Sequence, residues 1–170
     1  RACASTAVTV SVTNMVCEVI QACGTEQQKQ NYLPKLCSGE YPAGGFCLTE
    51  SVAGSDPAGM KTRAVKEGDS WVLNGTKLYI ISAKYAGQFV VLAVTDAEAA
   101  KGKGITCFLV EANNPGLSIG KAEHKMGQKG SSTNEVLFTD CRIPAGSILG
   151  TENQGNLKLR WASWRVVALE

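Results

Sequence analysis

The stretch GGFCLTESVAGSDPAG, residues 44–59, combines small residues with side chains that donate or accept hydrogen bonds. Thr49 and Ser55 offer hydroxyl groups, and Glu50 and Asp56 offer carboxylates. Glycine, serine, aspartate and proline at this density are typical of a reverse turn between strands. The same composition leaves backbone N–H groups uncovered, and such groups can bind an anion or the edge of a flat ring. Composition alone favours the turn.

Other reactive side chains in the sequence are spaced in ways that exclude several kinds of site. The seven cysteines are odd in number, contain no CxxC spacing and mostly have apolar neighbours, which predicts reduced core residues in an intracellular protein. The single histidine, His124, has no second histidine or CxxC with which to complete a zinc site, so we expect no metal. The GxG within KGKGI, 101–105, lacks the third glycine of a dinucleotide-binding loop.

Composition and charge favour a globular protein that binds a small or neutral partner. The chain has 170 residues and is 44% hydrophobic, which is enough to bury a substantial core. A net charge of +2, with scattered Lys and Arg, gives no electrostatic reason to expect nucleic acid or a membrane surface. No apolar run approaches the roughly 20 residues of a membrane helix, so we expect no membrane span. The beginning, without Met or a leader, is typical of a fragment.

A change in periodicity divides the chain near residue 40. Thr25 followed by Gln28 is a capping-box pattern, and it predicts a helix from about 26 to 36 that a Ser-Gly pair closes. Residues 5–23 are ambiguous, because their start alternates like a strand while their later apolar residues suit one face of a helix. Local pattern does not decide between the two.

After residue 40, short β-rich runs alternate with turn residues, and this spacing predicts an antiparallel sandwich or barrel. The runs are GGFCLT, MKTRAV, WVLN, TKLYIIS, QFVVLAVT, ITCFLVE, LSIG and EVLFT. Between WVLN and TKLYIIS, the pair Asn74-Gly75 predicts a type I′ hairpin turn, because both residue types tolerate a positive φ. After Gly155, the sequence NLKLRWASWRVVALE resumes helical spacing.

The order and spacing of these segments carry a resemblance to a known family. GGFCLTESVAGSDPAGMKTRAV, WVLNGTKLYIIS and GITCFLVEANNPGLSIGKAEHKMGQKGSSTNEVLFTDCRIPAGSILG together resemble the middle domain of acyl-CoA dehydrogenases, and GTEQQKQNYLPKLCSGE resembles the end of that family's N-terminal domain. The resemblance covers about 5–155. It implies an α+β fold with a helical tail, 1–40, packed on a small antiparallel β-barrel, 41–152, and the start of a C-terminal helical domain, 153–170. It also implies that residues 5–23 are helical.

The resemblance implies a flavoenzyme. In that family, flavin adenine dinucleotide (FAD) lies between the barrel and a C-terminal helical bundle, and an acyl-CoA thioester stacks against the ring. A carboxylate removes the α-proton while the β-hydride passes to the flavin, which yields a trans-2-enoyl-CoA, and an electron-transfer flavoprotein reoxidises the cofactor. The loop Ala100–Gly104 falls where CoA passes in relatives, so Lys101 and Lys103 either meet phosphates or belong to a solvated loop. The resemblance further implies a full-length homodimer or homotetramer in the bacterial cytoplasm or the mitochondrial matrix.

Matched position by position, the resemblance assigns nine residues to the cofactor. They are Phe46, Leu48 and Thr49 at a strand end, Gly54 and Ser55 in the following loop, and Tyr79, Ile80, Ile81 and Ser82 at a second strand end. Backbone amides and the Thr49 hydroxyl would donate to the pyrimidine end of the ring, where such donors favour the negative charge that develops. Gly54 and Ser55 would approach the cofactor's phosphates, and Ser55 would also meet the substrate's pantetheine.

One of these positions departs from the family pattern. Relatives commonly have Trp-Ile-Thr or Phe-Ile-Thr where this chain has Tyr79-Ile80-Ile81, and Ile81 has no hydroxyl to bond the flavin edge. Losing one such donor costs on the order of tenfold to thousandfold in rate. Either Ser82 replaces the missing hydroxyl or the site is impaired.

The resemblance identifies no catalytic base in this chain. The family normally carries the base in the C-terminal bundle, beyond Glu170, and the alternative position used by a minority of relatives, just before an Arg aligned with Arg165, holds Trp164. Glu50 belongs to the flavin-facing strand by position, and we expect its role to be structural. The chain alone is therefore expected to be inactive. An acyl-CoA oxidase-like flavoenzyme on the same scaffold, or a non-catalytic remnant that binds acyl-CoA or flavin, remain alternatives.

Overall fold

The computed structural model describes residues 3–154, which contain two helices and seven strands. The helices are α1 (Ala4–Cys23) and α2 (Glu26–Ser38). The strands are β1 (Ala43–Cys47), β2 (Arg63–Glu67), β3 (Ser70–Ile81), β4 (Ala86–Val94), β5 (Ile105–Glu111), β6 (Leu117–Ala122) and β7 (Thr133–Pro144). The helical segment predicted after Gly155, with Trp164 and Arg165, lies outside the described residues.

The second helix begins with the predicted capping box. The Thr25 hydroxyl accepts from the Gln28 N–H at 3.2 Å, and the Gln28 side-chain oxygen accepts from the Thr25 N–H at 2.9 Å. The helix ends at Gly39, whose φ of +82° is easily adopted by glycine. The Gln28 amide group also donates to the carbonyls of Gly146 and Ile148, both at 2.9 Å, and so ties α2 to the segment that follows β7.

The first helix covers the ambiguous segment and confirms that it is helical. Val16, Val19 and Ile20 are fully buried, and the Thr13 hydroxyl accepts from the Gly44 N–H of β1 at 3.3 Å. By length and composition alone, α1 could cross a membrane, because its most apolar window has a mean hydropathy of 1.3. This corrects the expectation that no apolar run approaches the length of a membrane helix, since α1 has 20 residues. A single such helix is a weak indication of a membrane span, and these contacts favour a helix packed on the sheet.

The strands form one mixed sheet, which corrects the prediction of a purely antiparallel one. The order is β1-β4-β2-β3-β7-β6, with β5 paired to β4. β4 runs parallel to both β1 and β2, whereas the other pairs are antiparallel. A parallel pair needs a crossover of a dozen or more residues, and the β2–β3 hairpin lies within the crossover between β1 and β4. The α+β class itself is confirmed.

The chain that leaves β1 returns to β3, where the Leu78 N–H donates a hydrogen bond of 2.8 Å to the Thr49 carbonyl.

The hairpin turn predicted at Asn74-Gly75 is wrong. β3 runs through both residues without a break, and its register with β7 shifts there as a bulge. Gly75 has a φ of +152°, and a Cβ at this position would lie 2.4 Å from Thr62 Oγ1. Glycine is therefore needed here for close packing in the middle of a strand. The tight turn before β3 is at Gly68-Asp69, where Gly68 has a φ of +58°.

Apolar residues form two clusters. One lies among the strands and contains Trp71 and Phe108, whose ring centroids are 5.4 Å apart. The other lies between the helices and the sheet and contains Ile20 and Val90. Three of the seven cysteines are buried, so the prediction of core cysteines is correct only in part. Cys47, Cys107 and Cys141 are buried, Cys17 and Cys23 are half-buried, and Cys3 and Cys37 are exposed.

Replacing Gly75 with alanine is expected to destabilise the fold by about 1–3 kcal/mol, because the new Cβ would meet Thr62 and the backbone has a positive φ. Denaturant unfolding of the full-length protein measures the change. Gly127→Ala is the matched control, since no heavy atom beyond its chain neighbours lies within 4 Å of that Cβ position, and it should change stability by less than about 0.5 kcal/mol. Equal losses for the two variants would contradict this account of Gly75.

Candidate functional site

The loop between β1 and β2, residues 48–62, begins with a tight turn. The N–H and carbonyl of Glu50 exchange hydrogen bonds with those of Ala53, both at 3.1 Å. The Asp56 carboxylate then accepts from the Ala58 N–H at 3.2 Å and starts a short 3₁₀ turn. The composition-based expectation of a turn is therefore correct, and the turn leaves Thr49 at the point where the loop meets β3.

A buried ion pair fixes this loop to β3. Lys77 Nζ lies 2.8 Å from Glu50 Oε1, and the two side chains are only 0% and 5% exposed. Lys77 Nζ also donates to the Leu48 carbonyl at 3.1 Å. The Glu50 carboxylate accepts from the N–H groups of Lys61 and Thr62 as well, so Glu50 joins both ends of the loop to the strand. This gives Glu50 a structural role.

Burial and pairing act in opposite directions on these two charges. Burial raises the pKa of the Glu50 carboxyl, but the hydrogen bonds from Lys77, Thr62 and Lys61 outweigh it, and the pKa lies below its usual value. Burial lowers the pKa of the Lys77 ammonium, and Glu50 offsets only part of that change. The three described partners of Lys77 Nζ are all acceptors, the third being Met60 Sδ at 3.9 Å, which fits a protonated amine with three donors.

Lys77 was not among the residues that the sequence singled out. The signal that could have found it is the two-residue period of β3, in which Leu73, Gly75 and Lys77 share one face. A lysine at a buried position is rare unless it is paired. That face therefore required a carboxylate nearby, and Glu50 was available.

The second strand end that the resemblance assigns to the cofactor, Tyr79–Ser82, lies at the end of β3, where the register with β7 shifts between Lys77 and Ile80. This bulge gives Tyr79 a φ of +59° and leaves its side chain 59% exposed. Ile80 is buried in the cluster among the strands, and Ile81 is half-buried. Ser82 is buried, and its hydroxyl has no hydrogen-bond partner among the described residues.

The first strand end that the resemblance assigns to the cofactor is the end of β1, together with the loop after it. Phe46 and Leu48 are half-buried and pack against the cluster beneath the helices, and Thr49 is half-buried next to Leu78. The hydrogen bond between Thr49 and Leu78 thus makes the two strand ends neighbours. Gly54 and Ser55 are exposed, and no hydrogen bond between described residues links them to the end of β3.

The described residues fit a flat ring with polar edges. Among the hydrogen bonds between described residues, none is donated by the Thr49 N–H. The buried Ser82 hydroxyl has no hydrogen-bond partner within residues 3–154, whereas buried polar groups ordinarily have a partner. The exposed Tyr79 ring adds an aromatic surface on the same strand end. This arrangement can donate hydrogen bonds to a ring edge while an aromatic side chain covers apolar surface.

A cavity of ≈ 220 Å³ opens beside the loop and is lined by parts of 58–63 and 94–105. Lys101 lines this cavity, its Nζ lies 2.6 Å from Asp56 Oδ2, and both side chains are mostly exposed. The Lys101 ammonium lowers the pKa of Asp56. Exposed ion pairs contribute little stability, so Lys101 can exchange Asp56 for another anion.

Metal and serine-nucleophile chemistry find no support in the described residues. His124 is exposed, and no group of three His, Cys, Asp or Glu within residues 3–154 could hold a metal ion. The letters GLSIG at 116–120 match the GxSxG spacing of serine hydrolases, but Ser118 lies within β6. A nucleophile elbow needs a sharp turn from a strand into a helix, which this segment does not have.

Comparison with family sequences decides the family. The family model described as "Acyl-CoA dehydrogenase, middle domain" matches residues 45–141, more than half of the chain, and "Acyl-CoA dehydrogenase, N-terminal domain" matches residues 1–40. The chain belongs to the acyl-CoA dehydrogenase family. The resemblance inferred from the order of the motifs is confirmed.

Among curated relatives, the human mitochondrial short-chain specific acyl-CoA dehydrogenase is 47% identical over 156 residues, which is 91% of this chain and 37% of that protein. Among solved structures, butyryl-CoA dehydrogenase from Megasphaera elsdenii is 38% identical with a TM-score of 0.89, and the match covers 95% of this chain and 42% of that one. The chain thus spans about two fifths of the length of these acyl-CoA dehydrogenases.

Two further solved structures are of interest because one contains a cofactor and the other concerns an electron carrier. A glutaryl-CoA dehydrogenase from Mycobacterium smegmatis in complex with FADH2 is 35% identical with a TM-score of 0.82, and the match covers 94% of this chain and 39% of that one. A chain from a solved structure of the electron transferring flavoprotein of Acidaminococcus fermentans is 39% identical with a TM-score of 0.88, and the match covers 94% of this chain and 41% of that one.

Acidification is expected to remove the stabilisation that Glu50 provides. Because its pKa in the fold lies below the ordinary value of 4.5, the ionised form stabilises the fold fully above that value, and the contribution is lost as the pH falls through the lowered pKa. Glu50→Gln should therefore flatten the acid limb of a plot of unfolding free energy against pH, and cost about 3–5 kcal/mol at neutral pH.

The matched control is Glu67→Gln, which breaks the ion pair with Arg142, whose side chains are 52% and 57% exposed. This variant should keep the acid limb, because an exposed pair contributes little. If both variants follow the same curve as the unmodified protein, the buried pair is not the source of the acid sensitivity.

Proposed function

We propose that this chain forms one wall of the flavin and acyl-CoA site of a FAD-dependent acyl-CoA dehydrogenase. The full-length protein would catalyse α,β-dehydrogenation of an acyl-CoA thioester to a trans-2-enoyl-CoA. The observation that carries the proposal is the 2.8 Å bond between Thr49 and Leu78, because it joins the two segments that the family motifs assign to the ring. We also propose that residues 1–40 belong to the N-terminal domain, 41–152 to the middle domain and 153–170 to the start of the C-terminal domain.

FAD, when bound, would supply the hydride acceptor. The Thr49 hydroxyl and N–H would donate to the ring edge, with Phe46 and Leu48 packing behind them. Tyr79 would provide an aromatic wall beside the ring, while Ile80, which is buried in the core, would hold that strand end in place. The relative whose structure contains FADH2 supports this choice of cofactor.

Ser82 is the better replacement for the hydroxyl that Ile81 lacks. Its hydroxyl is buried without a partner among the described residues, and a ligand atom would satisfy it. Its φ of +60° is unusual for serine, and such backbone conformations cluster at functional sites. We therefore favour a functional site over an impaired one.

Gly54 and Ser55 would meet the cofactor's phosphates, and Ser55 the pantetheine of the substrate. Both are exposed in the loop, and no heavy atom beyond the chain neighbours lies within 4 Å of the Cβ position of Gly54, so a ligand can approach the backbone. Lys101, whose only described ion-pair partner is the exposed Asp56, is available to a CoA phosphate beside the cavity.

The catalytic base would lie outside this chain. Glu50 directly follows Thr49, but its carboxylate oxygens already accept hydrogen bonds from Lys77 and from two backbone N–H groups. These contacts lower its pKa, and a carboxylate with a lowered pKa is a poor proton acceptor. Glu50 is therefore assigned to position the loop, and the chain alone would be inactive.

The full-length protein would be a homodimer or homotetramer, in the bacterial cytoplasm or the mitochondrial matrix, and would pass electrons to an electron-transfer flavoprotein. The Acidaminococcus fermentans structure supports this partner. An acyl-CoA oxidase on the same scaffold would pass electrons to oxygen instead, and a non-catalytic remnant would bind acyl-CoA or flavin without turnover.

Incubation of the purified full-length protein with short-chain acyl-CoA thioesters separates these functions. A dehydrogenase bleaches its flavin absorbance and reduces an electron-transfer flavoprotein, an oxidase releases hydrogen peroxide, and a remnant does neither. Full-length protein that contains no flavin and cannot be reconstituted with it would refute the enzyme.

Thr49→Val is expected to weaken flavin binding by about three- to tenfold, since it removes one hydrogen bond from the ring edge. Titration of the apoprotein with FAD, followed by flavin fluorescence, measures the affinity. Thr139→Val is the matched control, because Thr139 is exposed on β7, and its affinity should equal that of the unmodified protein. Unchanged affinity in Thr49→Val would remove Thr49 from the site.

A further inference from the structure

We propose that Lys77 is a positioning residue that raises the reduction potential of the bound flavin by polarising the Leu48–Thr49 peptide group. The inference rests on the proposed function, because the flavin ring is what the Thr49 N–H would face. Lys77 would touch neither the ring nor the substrate. Its effect would pass through one peptide group.

The geometry places Lys77 directly behind that peptide group. Its ammonium is fully buried and donates to the Leu48 carbonyl at 3.1 Å. The described part of the chain contains no cis peptide bond, so the Leu48 carbonyl and the Thr49 N–H point in opposite directions. The carbonyl faces the buried charge, and the N–H, which donates no hydrogen bond to a described residue, faces away from it.

A cation on a peptide carbonyl strengthens the N–H of the same peptide as a donor. The carbonyl and the N–H share electrons through the partial double bond of the peptide, so charge drawn to the oxygen leaves the N–H more positive. Hydrogen bonds in such a chain polarise one another, and a buried charge acts through a low dielectric. Because reduction adds negative charge to a flavin ring, a stronger donor at its edge favours the reduced form.

Glu50 is the counter-charge, and it provides the means of separating an electrostatic role from a mechanical one. It lies 2.8 Å from Lys77 Nζ and cancels part of the field that Lys77 applies. Removing the negative charge should therefore raise the potential, whereas removing the positive charge should lower it. If the pair were only a strut that holds Thr49 in place, either substitution would misplace the same donor, and both potentials would fall.

The test measures flavin potentials in the full-length holoprotein at slightly acidic pH, by equilibration with a reference dye. Lys77→Met should shift the two-electron equilibrium toward oxidised flavin by about tenfold, or about 30 mV. Glu50→Gln should shift it in the opposite direction. Lys66→Met, which removes an exposed positive charge on β2, is the control and should leave the potential unchanged.

The double variant Glu50→Gln/Lys77→Met protects the test against loss of folding. Lys77→Met alone leaves an unpaired buried carboxylate, which is strongly destabilising, whereas the double variant removes both charges. Compared with Glu50→Gln, the double variant should have the lower potential, and this comparison alone isolates the charge of Lys77.

The possible outcomes are distinct. Shifts of opposite sign in the single variants, or a lower potential in the double variant than in Glu50→Gln, support the proposal. Falls in both single variants, or equal potentials in Glu50→Gln and the double variant, overturn it while leaving the flavoenzyme function intact. Full-length protein that contains no flavin and cannot be reconstituted with it overturns the proposed function and this inference together.

Discussion

The ion pair between Lys77 and Glu50 is the contact on which the arrangement of the site depends. Two charges that are almost completely buried must be paired and hydrogen-bonded, or the fold loses several kcal/mol. Here the pairing connects the middle of β3 to the loop 48–62, and the carboxylate also binds two amides at the far end of that loop. The position of Thr49 therefore follows from an electrostatic requirement in the interior of the sheet.

This constraint explains how a loop of small residues can present a defined surface. Most of residues 51–59 are exposed, and Ala53 is the one buried residue among them. The rigid parts lie at either side, with Thr49 bonded to Leu78 and Thr62 bonded to Glu50. A bulge at the end of β3 then turns Tyr79 outward, and the buried Ser82 hydroxyl has no hydrogen-bond partner among the described residues. Both departures from regular structure occur at positions that the family motifs assign to the flavin.

The local rules of helix capping and the order of the motifs made much of the fold predictable. Thr25 and Gln28 determined the start of α2, because a capping box depends on only four residues. Asn74-Gly75 misled the prediction, because the glycine is required by the close approach of Thr62, which lies outside the local pattern from which a turn is predicted. Parallel pairing of β1 with β4 was likewise invisible, since it depends on the route of the intervening hairpin. Lys77 carried a usable signal in its strand period, but its partner Glu50 could be found only in three dimensions.

The central claim is that Thr49 and the Tyr79–Ser82 segment form one edge of a flavin site. A structure of the full-length protein purified with its bound cofactor tests this claim most directly. We predict that the flavin ring lies with polar atoms about 3 Å from the Thr49 N–H and hydroxyl and from the Ser82 hydroxyl, beside the Tyr79 ring. A flavin bound elsewhere, with the Ser82 hydroxyl still unpaired and Thr49 facing solvent, would contradict it.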